Sequence, residues 1–428
     1  MARLDGPPWL QRRREAAFER YTTTPLPTVE EEVWRYSRIP ELDLDDYAPL
    51  VEAGADGATS LGPPPAHLAA LVERLGRCSA LVVVRNGRVF NVEVEPEAAD
   101  LGLEVGRLAD LDPEGVALGS VAGEAPDAFG LLHDAFAADP VLVRVPAGVV
   151  VPAPVAVLHH TDVAASATFP HLVVQAGEDS EVVVYDHAGS DEVDALVLPV
   201  VELHAGAAAR LRYVHAQLLG PRVWQLGRQV SRVERDATFA TAMVALGGDY
   251  ARLEVESVLA GKGSSGEMLA VYFGERSQMH DFRSLQDHLA PRTTSNLLFK
   301  GAVQGRSRSV YTGLIHIGKE AAGVDAFQTN RNIKLSDGAW AESVPNLEIE
   351  NNDVRCSHAS AVGPVDEDQR YYLESRGVPP ASAERLIVLG FFEEVLERLP
   401  TPRAVPALRG EIAAKLARRE LEGAPARA

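Results

Sequence analysis

The chain runs to 428 residues, which at about 100 to 200 residues per domain means two or three domains with ample core. Sixty-one acidic residues against 41 basic ones leave a formal charge of -20, so phosphate backbones and anionic lipid are repelled. Neither nucleic acid nor a membrane is an expected partner. Two cysteines, Cys78 and Cys356, are too few for a disulfide framework or for a four-cysteine zinc or iron-sulfur site within one chain. The start, Met1-Ala2-Arg3-Leu4-Asp5, leads into no apolar signal region, and no stretch approaches about 18 uninterrupted apolar residues. A cytoplasmic location is the expectation.

The first 140 residues mix helical patterns with turns. Trp9 to Arg20 is a charged amphipathic helix that stops at Thr22-Thr23-Thr24-Pro25. His67 to Leu75 predicts a second helix after Pro63-Pro64-Pro65. Ala80 to Arg85 and Arg88 to Val94 flank Asn86-Gly87, a pair suited to the positive φ angles of a type I′ hairpin turn. This region, 1–140, reads as a helical or α+β N-terminal domain.

From Val141 to Gly363 the period changes. Short alternating runs such as Leu172-Val173-Val174, Glu181 to Tyr185, Ala209 to His215, Leu253 to Leu259 and Val310 to Ile317 are separated by turns and not by helices. Turn signals at Ala176-Gly177, Ala205-Gly206, Arg235-Asp236, Gly263, Gly305 and Asp337-Gly338 recur irregularly, as in a solenoid of stacked β rungs. A β-sandwich shares most of these signals. Beyond Gly363, in 364–428, helices return: Asp366 to Arg376, then Ser382 to Leu399 with Ser382 as N-cap, then a helix with Leu408, Ile412 and Leu416 on one face and Arg and Lys on the others.

Several motifs mimic chemistry. Gly261-Lys262-Gly263-Ser264-Ser265-Gly266 matches G-x-G-x-x-G but precedes a short β-like run, so no helix N-terminus is there to hold a pyrophosphate. Gly313 to Lys319 resembles a Walker A loop, yet Glu320 stands where a hydroxyl must ligate magnesium, and the interior is strand-like. The adjacent His159 and His160 point to opposite faces of a strand, and the twelve histidines fit no zinc spacing; hydrogen-bonded structural roles are expected.

Cys356-Ser357-His358 differs. In a strand, residues i and i+2 share a face, so thiol and imidazole project together as two donors suited to iron or zinc, and an imidazolium neighbour would lower the thiol pKa. Two ligands cannot hold a cluster, so any such site must be completed by another subunit; taken alone, so short and unspecific a pair reads as structural.

Asp287-His288-Leu289-Ala290-Pro291-Arg292-Thr293-Thr294-Ser295-Asn296, Asp325-Ala326-Phe327-Gln328-Thr329-Asn330, Pro345-Asn346-Leu347-Glu348-Ile349-Glu350 and Asp353-Val354-Arg355-Cys356-Ser357-His358 together resemble the SufB/SufD family of iron-sulfur cluster assembly proteins. Gly390 to Leu396 and Pro25 to Ser37 continue the resemblance, which covers most of the chain. Within the family the chain is similar to SufD-type members: Ala339 stands where SufB-type chains carry a catalytic cysteine, and His358 is not flanked by glutamates. Ala359 replaces the usual glycine after the histidine.

The resemblance implies a mainly β protein: a right-handed parallel β-helix core between an N-terminal α+β domain and a C-terminal helical domain. It implies a scaffold subunit, not an enzyme, that pairs with a SufB-like paralogue through the β-helix and recruits a SufC-like ABC ATPase through its C-terminal helices in a SufBCD complex. His358, with Cys356 secondary, is the implied ligand of a transient iron or iron-sulfur cluster at the SufB/SufD interface, with no cofactor held stably by the isolated chain. The alternatives are a self-associating scaffold and a carbohydrate-active β-helix enzyme, for which Asp281, Asp287 and Asp325 are the available carboxylates.

Overall fold

Each alternating run from Val141 onward becomes a strand, and the long strands go alternately to two sheets, with the short strands Ser166–Thr168 and Ala195–Val197 added to the first. One sheet runs through Val141–Val145, His171–Ala176, Val200–Ala205, Val223–Val233, Tyr250–Leu259, Met279–His288, Arg308–Ile317 and Trp340–Ile349. The other runs through Val155–Thr161, Glu181–Ser190, Arg210–Leu218, Thr238–Ala245, Ser265–Gly274, Thr294–Val303, Val324–Lys334 and Val354–Pro364. The result is a β-solenoid of about eight turns, the solenoid expected from the sequence and not the sandwich. Residues 4–51 and 66–423 are described by this structure, a computed structural model; the triple proline at 63–65 lies outside them.

One corner of the solenoid shows why the turns stack. Asp179, Ala208, Asp236, Gly263, Arg292 and Gly323 all take the left-handed conformation, with φ between +52° and +74°. Each donates its N–H to a carbonyl of the following turn, at Ala207, Arg235, Lys262, Pro291, Ala322 and Asp353 respectively. A left-handed residue at each corner turns its amide along the solenoid axis, so the backbone remains paired where the sheets are interrupted. Gly261, in the same corner, sits where a Cβ would lie 1.9 Å from the Arg235 nitrogen, and the strand Ser265–Gly274 follows it. The dinucleotide-like motif is a close-packed rung turn.

The hairpin forms with Asn86 and Gly87 both at positive φ, and its first strand, Ala80–Arg85, pairs in parallel with Val155–Thr161, extending the second sheet. The helices Pro8–Tyr21 and Ala128–Phe136 pack on each other, and Trp34, Ile39, Phe129 and Leu132 cover Trp224, Leu226 and Tyr250 of the first sheet. On the second sheet, Leu269, Val271, Phe273 and Leu298 are covered by Val388, Phe392 and Val395 of the helix Pro380–Leu396 and by Leu408 and Ile412 of the helix Val405–Gly423.

Two expectations for the tail are corrected. Pro380 is the first residue of its helix and Pro379 its cap, so Ser382 lies inside the first turn and caps nothing; the fixed φ of proline starts the helix and an N1 proline leaves no orphan N–H. Lys415 does not face solvent. It is buried against the solenoid, donating to Gln278 Oε1 at 2.8 Å and lying 3.3 Å from Glu275 Oε1, because the tail lies along the sheet and wraps this position.

Candidate functional site at the open end of the solenoid

The interior changes character along the axis. In the first turns it is apolar, with Val174, Val182, Leu203, Leu211 and Phe239 packed between the sheets. Toward the last turns it becomes a hydrogen-bonded polar core. Tyr311 donates to Gln328 Oε1 at 3.0 Å and lies 3.0 Å from Ser284 Oγ. Tyr272 donates to Asn332 Oδ1 and accepts from Asn330 Nδ2, each at 2.8 Å. Room for these hydroxyls comes from Gly301 and Gly313, where a Cβ would stand 2.0 Å from the Tyr272 ring and 2.2 Å from the Tyr311 oxygen. Gly313, the first residue of the Walker-like stretch, is thus a spacer inside the strand Arg308–Ile317 and part of no phosphate loop.

The solenoid ends on Trp340–Ile349 and Val354–Pro364, and among the described residues no strand pairs with the outer edge of either. In the parallel register Cys356 lies opposite Ala326, His358 opposite Gln328, and Ser360 opposite Asn330. Because Gln328 and Asn330 are buried and bonded to side chains inside the solenoid, residues in register with them face inward too. Ser360 Oγ reaches Ser343 Oγ of the other sheet at 2.7 Å, which closes the same inward face. His358 therefore points along the interior at its open mouth and is exposed only because no further turn covers it. Phe327, Trp340, Leu347, Ile349 and Val362 are exposed apolar side chains around this end.

Cys356 and His358 share a face, as the i, i+2 spacing requires, but the expected electrostatics are corrected. Cys356 packs half-buried beside Ile315, Ile317 and Ala326, and this burial pushes its thiol pKa up, not down. A thiol in that setting stays protonated near neutral pH unless a metal binds the sulfur and its proton is released to solvent. The imidazole is the accessible donor.

Sequence reasoning overlooked the polar layer behind the histidine. Gln328, Asn330 and Asn332 occupy every second position of one strand, a period that places three amides on one buried face. The carboxylates of the carbohydrate alternative are not brought together: Asp281 is sealed against Arg252, Asp287 accepts from His316 Nδ1, and Asp325 is exposed on the other sheet. The buried histidines hold structural contacts, His288 at Thr293 and Ser295, His215 at Asp186. Among the described residues, His160, Asp162 and Asp191 are near enough to share an ion, but Arg85 and Asn86 already occupy both oxygens of Asp162. No helix among the described residues is long and apolar enough to cross a membrane.

Comparison with known proteins gives the same picture. The SUF system FeS cluster assembly SufBD core domain matches residues 159–391, and the SufBD protein N-terminal region matches residues 3–157. An iron-sulfur cluster assembly SufBD family protein of Mycobacterium tuberculosis is 39% identical over 257 residues, 58% of this chain and 63% of that protein. One from Mycobacterium leprae is 37% identical over a similar span, 57% of this chain and 64% of that protein. The aligned part thus spans less than two thirds of these mycobacterial relatives. A Staphylococcus saprophyticus relative with the same description is 23% identical over 415 residues, 94% of this chain and 88% of that protein. With both matches abutting and the core match alone covering more than half of its residues, this chain belongs to the SufBD family of iron-sulfur cluster assembly proteins.

Proposed function

We propose that this chain is a SufD-type scaffold subunit on which iron-sulfur clusters are assembled with a SufB-type paralogue, driven by a SufC-type ATPase. The observation that carries this reading is the open mouth, where an inward-facing imidazole stands on a terminal strand with a free edge. A second solenoid docked there continues both sheets through backbone pairing, buries the exposed apolar rim, and supplies the ligands that His358 and Cys356 lack. Iron and sulfide are the cargo of this site. His358 is its principal donor and Cys356 a secondary one, which loses its proton on metal binding. Ala339, buried in the turn before Trp340, supports the SufD-type assignment, since a methyl group takes the place of the SufB-type thiol.

The ATPase docks on the tail. Tyr371, 74% exposed, Tyr372 and Leu386 leave an apolar face on the helices Glu367–Ser375 and Pro380–Leu396, and the chain hydrolyses no ATP itself. The complex works in the cytoplasm. Co-expression of the untagged full chain with tagged SufB-type and SufC-type partners, followed by iron and sulfide analysis, tests the reading. The expected result is one complex that acquires both elements. A chain that stays apart from the partners and forms only a dimer with itself overturns it.

A further inference from the structure

The N-terminal helix Ala128–Phe136 meets the solenoid through a line of buried hydrogen bonds: Leu198 O to His133 Nδ1 at 2.7 Å, His133 Nε2 to His171 Nδ1 at 2.9 Å, and His171 Nε2 to Glu202 Oε1 at 2.9 Å. Counting protons along it gives an unexpected answer. A carbonyl only accepts, so His133 Nδ1 carries a proton. One proton lies between the two rings. Glu202 already accepts the backbone N–H groups of Gly119, Val121 and Ala122 at 2.6, 2.8 and 2.9 Å, so its carboxylate has no need of a proton and His171 Nε2 must donate. Three protons on four ring nitrogens make one positive charge, where two neutral imidazoles carry two.

We propose that the His133–His171 pair holds one proton beyond neutrality, and that this proton latches the N-terminal region onto the solenoid as a pH-sensitive joint. The charge is balanced by Glu202, which in turn ties down the loop 119–122. Burial opposes ionisation of Glu202, but the His171 hydrogen bond and the backbone N–H groups outweigh it and hold its carboxyl down to about 2. His133 is pushed well below the usual imidazole range by burial and by His171, and of the two rings it is His171 that touches the carboxylate. A cavity of about 60 Å³, room for more than one water, adjoins the two rings and gives the proton a way out. The other charged groups around the joint are Arg13 and Asp134, which pair with each other, with Asp127, Arg228, Arg252 and Glu254 lining the same cavity. None of them replaces Glu202 in contact with His171.

Losing the proton leaves His171 Nε2 facing a carboxylate lone pair to lone pair, so the joint loosens as pH rises. The full chain labelled with 15N-histidine tests this by long-range proton-nitrogen correlation. At about pH 7 one bare ring nitrogen across His133 and His171 is expected; two bare nitrogens overturn the proposal. Hydrogen exchange supplies the second readout. As pH is raised from neutral, protection of the Gly119, Val121 and Ala122 amides falls at least about tenfold beyond the ordinary base-catalysed trend. Protection that follows that trend alone overturns the latch. In Glu202→Gln the amide donates to His171 Nε2, the third ring proton disappears, and the pH-dependent loss of protection goes with it; a Glu202→Gln protein that keeps both features overturns the assignment, and if it does not fold, the wild-type measurements decide.

Discussion

Arg252 and Asp281 form an ion pair 2.8 Å long across adjacent strands of the first sheet, almost wholly sealed from solvent. The same guanidinium lies 4.1 Å from the Trp34 ring centre and donates to the Val33 carbonyl at 2.9 Å, so one buried cation fastens the N-terminal segment to the solenoid. Tyr250 adds a hydrogen bond to the carboxylate at 2.9 Å. Asp281→Ala leaves the buried guanidinium with the part-exposed Glu254, at 2.5 Å, as its remaining carboxylate and strips Tyr250 of its acceptor, and is expected to cost about 2–3 kcal/mol. Denaturant unfolding measures it, and a loss below about 1 kcal/mol contradicts the assignment.

His358→Ala should separate chemistry from folding. The ring is exposed and nothing packs over it, so the unfolding free energy should change by less than about 0.5 kcal/mol. Iron and sulfide content of the assembled complex should nevertheless collapse, while Cys356→Ser reduces it less. Normal loading in His358→Ala removes the histidine from the ligand set.

The tail makes a sharper target as point variants than as a deletion, since cutting it away strips the cover from Phe273 and Leu298. Tyr371→Ala combined with Leu386→Asp leaves that cover intact. Retention of the ATPase on the tagged complex should drop at least about tenfold, the cost of losing one well-placed apolar anchor. Undiminished retention places the docking face elsewhere.

Acid should unfold the chain early. Burial and the nearby Lys415 charge push His280 down to about 3, and burial with His316 pushes His288 down to about 4. Both are bases with folded pKa values below their unfolded ones, so below about pH 6.5 the unfolded chain binds the extra protons and stability falls. Between about pH 6.5 and pH 4 the two rings together withdraw about 6 kcal/mol, as much as a typical domain possesses. Asp186 and Glu202, each held down to about 2, continue the loss at lower pH. Unfolding midpoints measured from pH 7 to pH 4.5 should drop steeply, and His280→Leu should flatten the slope; a flat wild-type profile refutes this.

Ala208 has φ +57°, a conformation that costs a residue with a Cβ and suits glycine. Ala208→Gly relieves that strain and should raise stability by about 0.5–1 kcal/mol, read as a higher thermal midpoint. An unchanged or lowered midpoint argues against strain at that corner.

The same residue shows where the sequence was readable and where it was not. Asn86-Gly87, Gly263 and Gly305 announced their turns because glycine and asparagine accept positive φ cheaply. Ala208 and Arg292 adopt it without any such signal, held by the neighbouring turns, so the corner column was visible only in part. The i, i+2 logic located the face shared by Cys356 and His358, since it depends on the backbone alone. It could not foresee the thiol's burial, which is set by Ile315 and Ile317 on a strand some forty residues earlier. Lys415 misled for a related reason: its helical face was correctly amphipathic, but a lysine bonded to Gln278 and close to Glu275 is as well accommodated inside as in water.

A solenoid turn in mid-stack pairs with strands on both sides, whereas among the described residues Val354–Pro364 pairs with one strand, Val324–Lys334 beneath it. In a linear stack the end members open more readily than those within it, so the segment bearing the imidazole frays before the mid-stack turns of its sheet. Capture by a neighbouring subunit would therefore do more than complete a coordination shell. It would also set how long those donor atoms stay ordered, making occupancy of the mouth and stiffness of the terminal turn one and the same event.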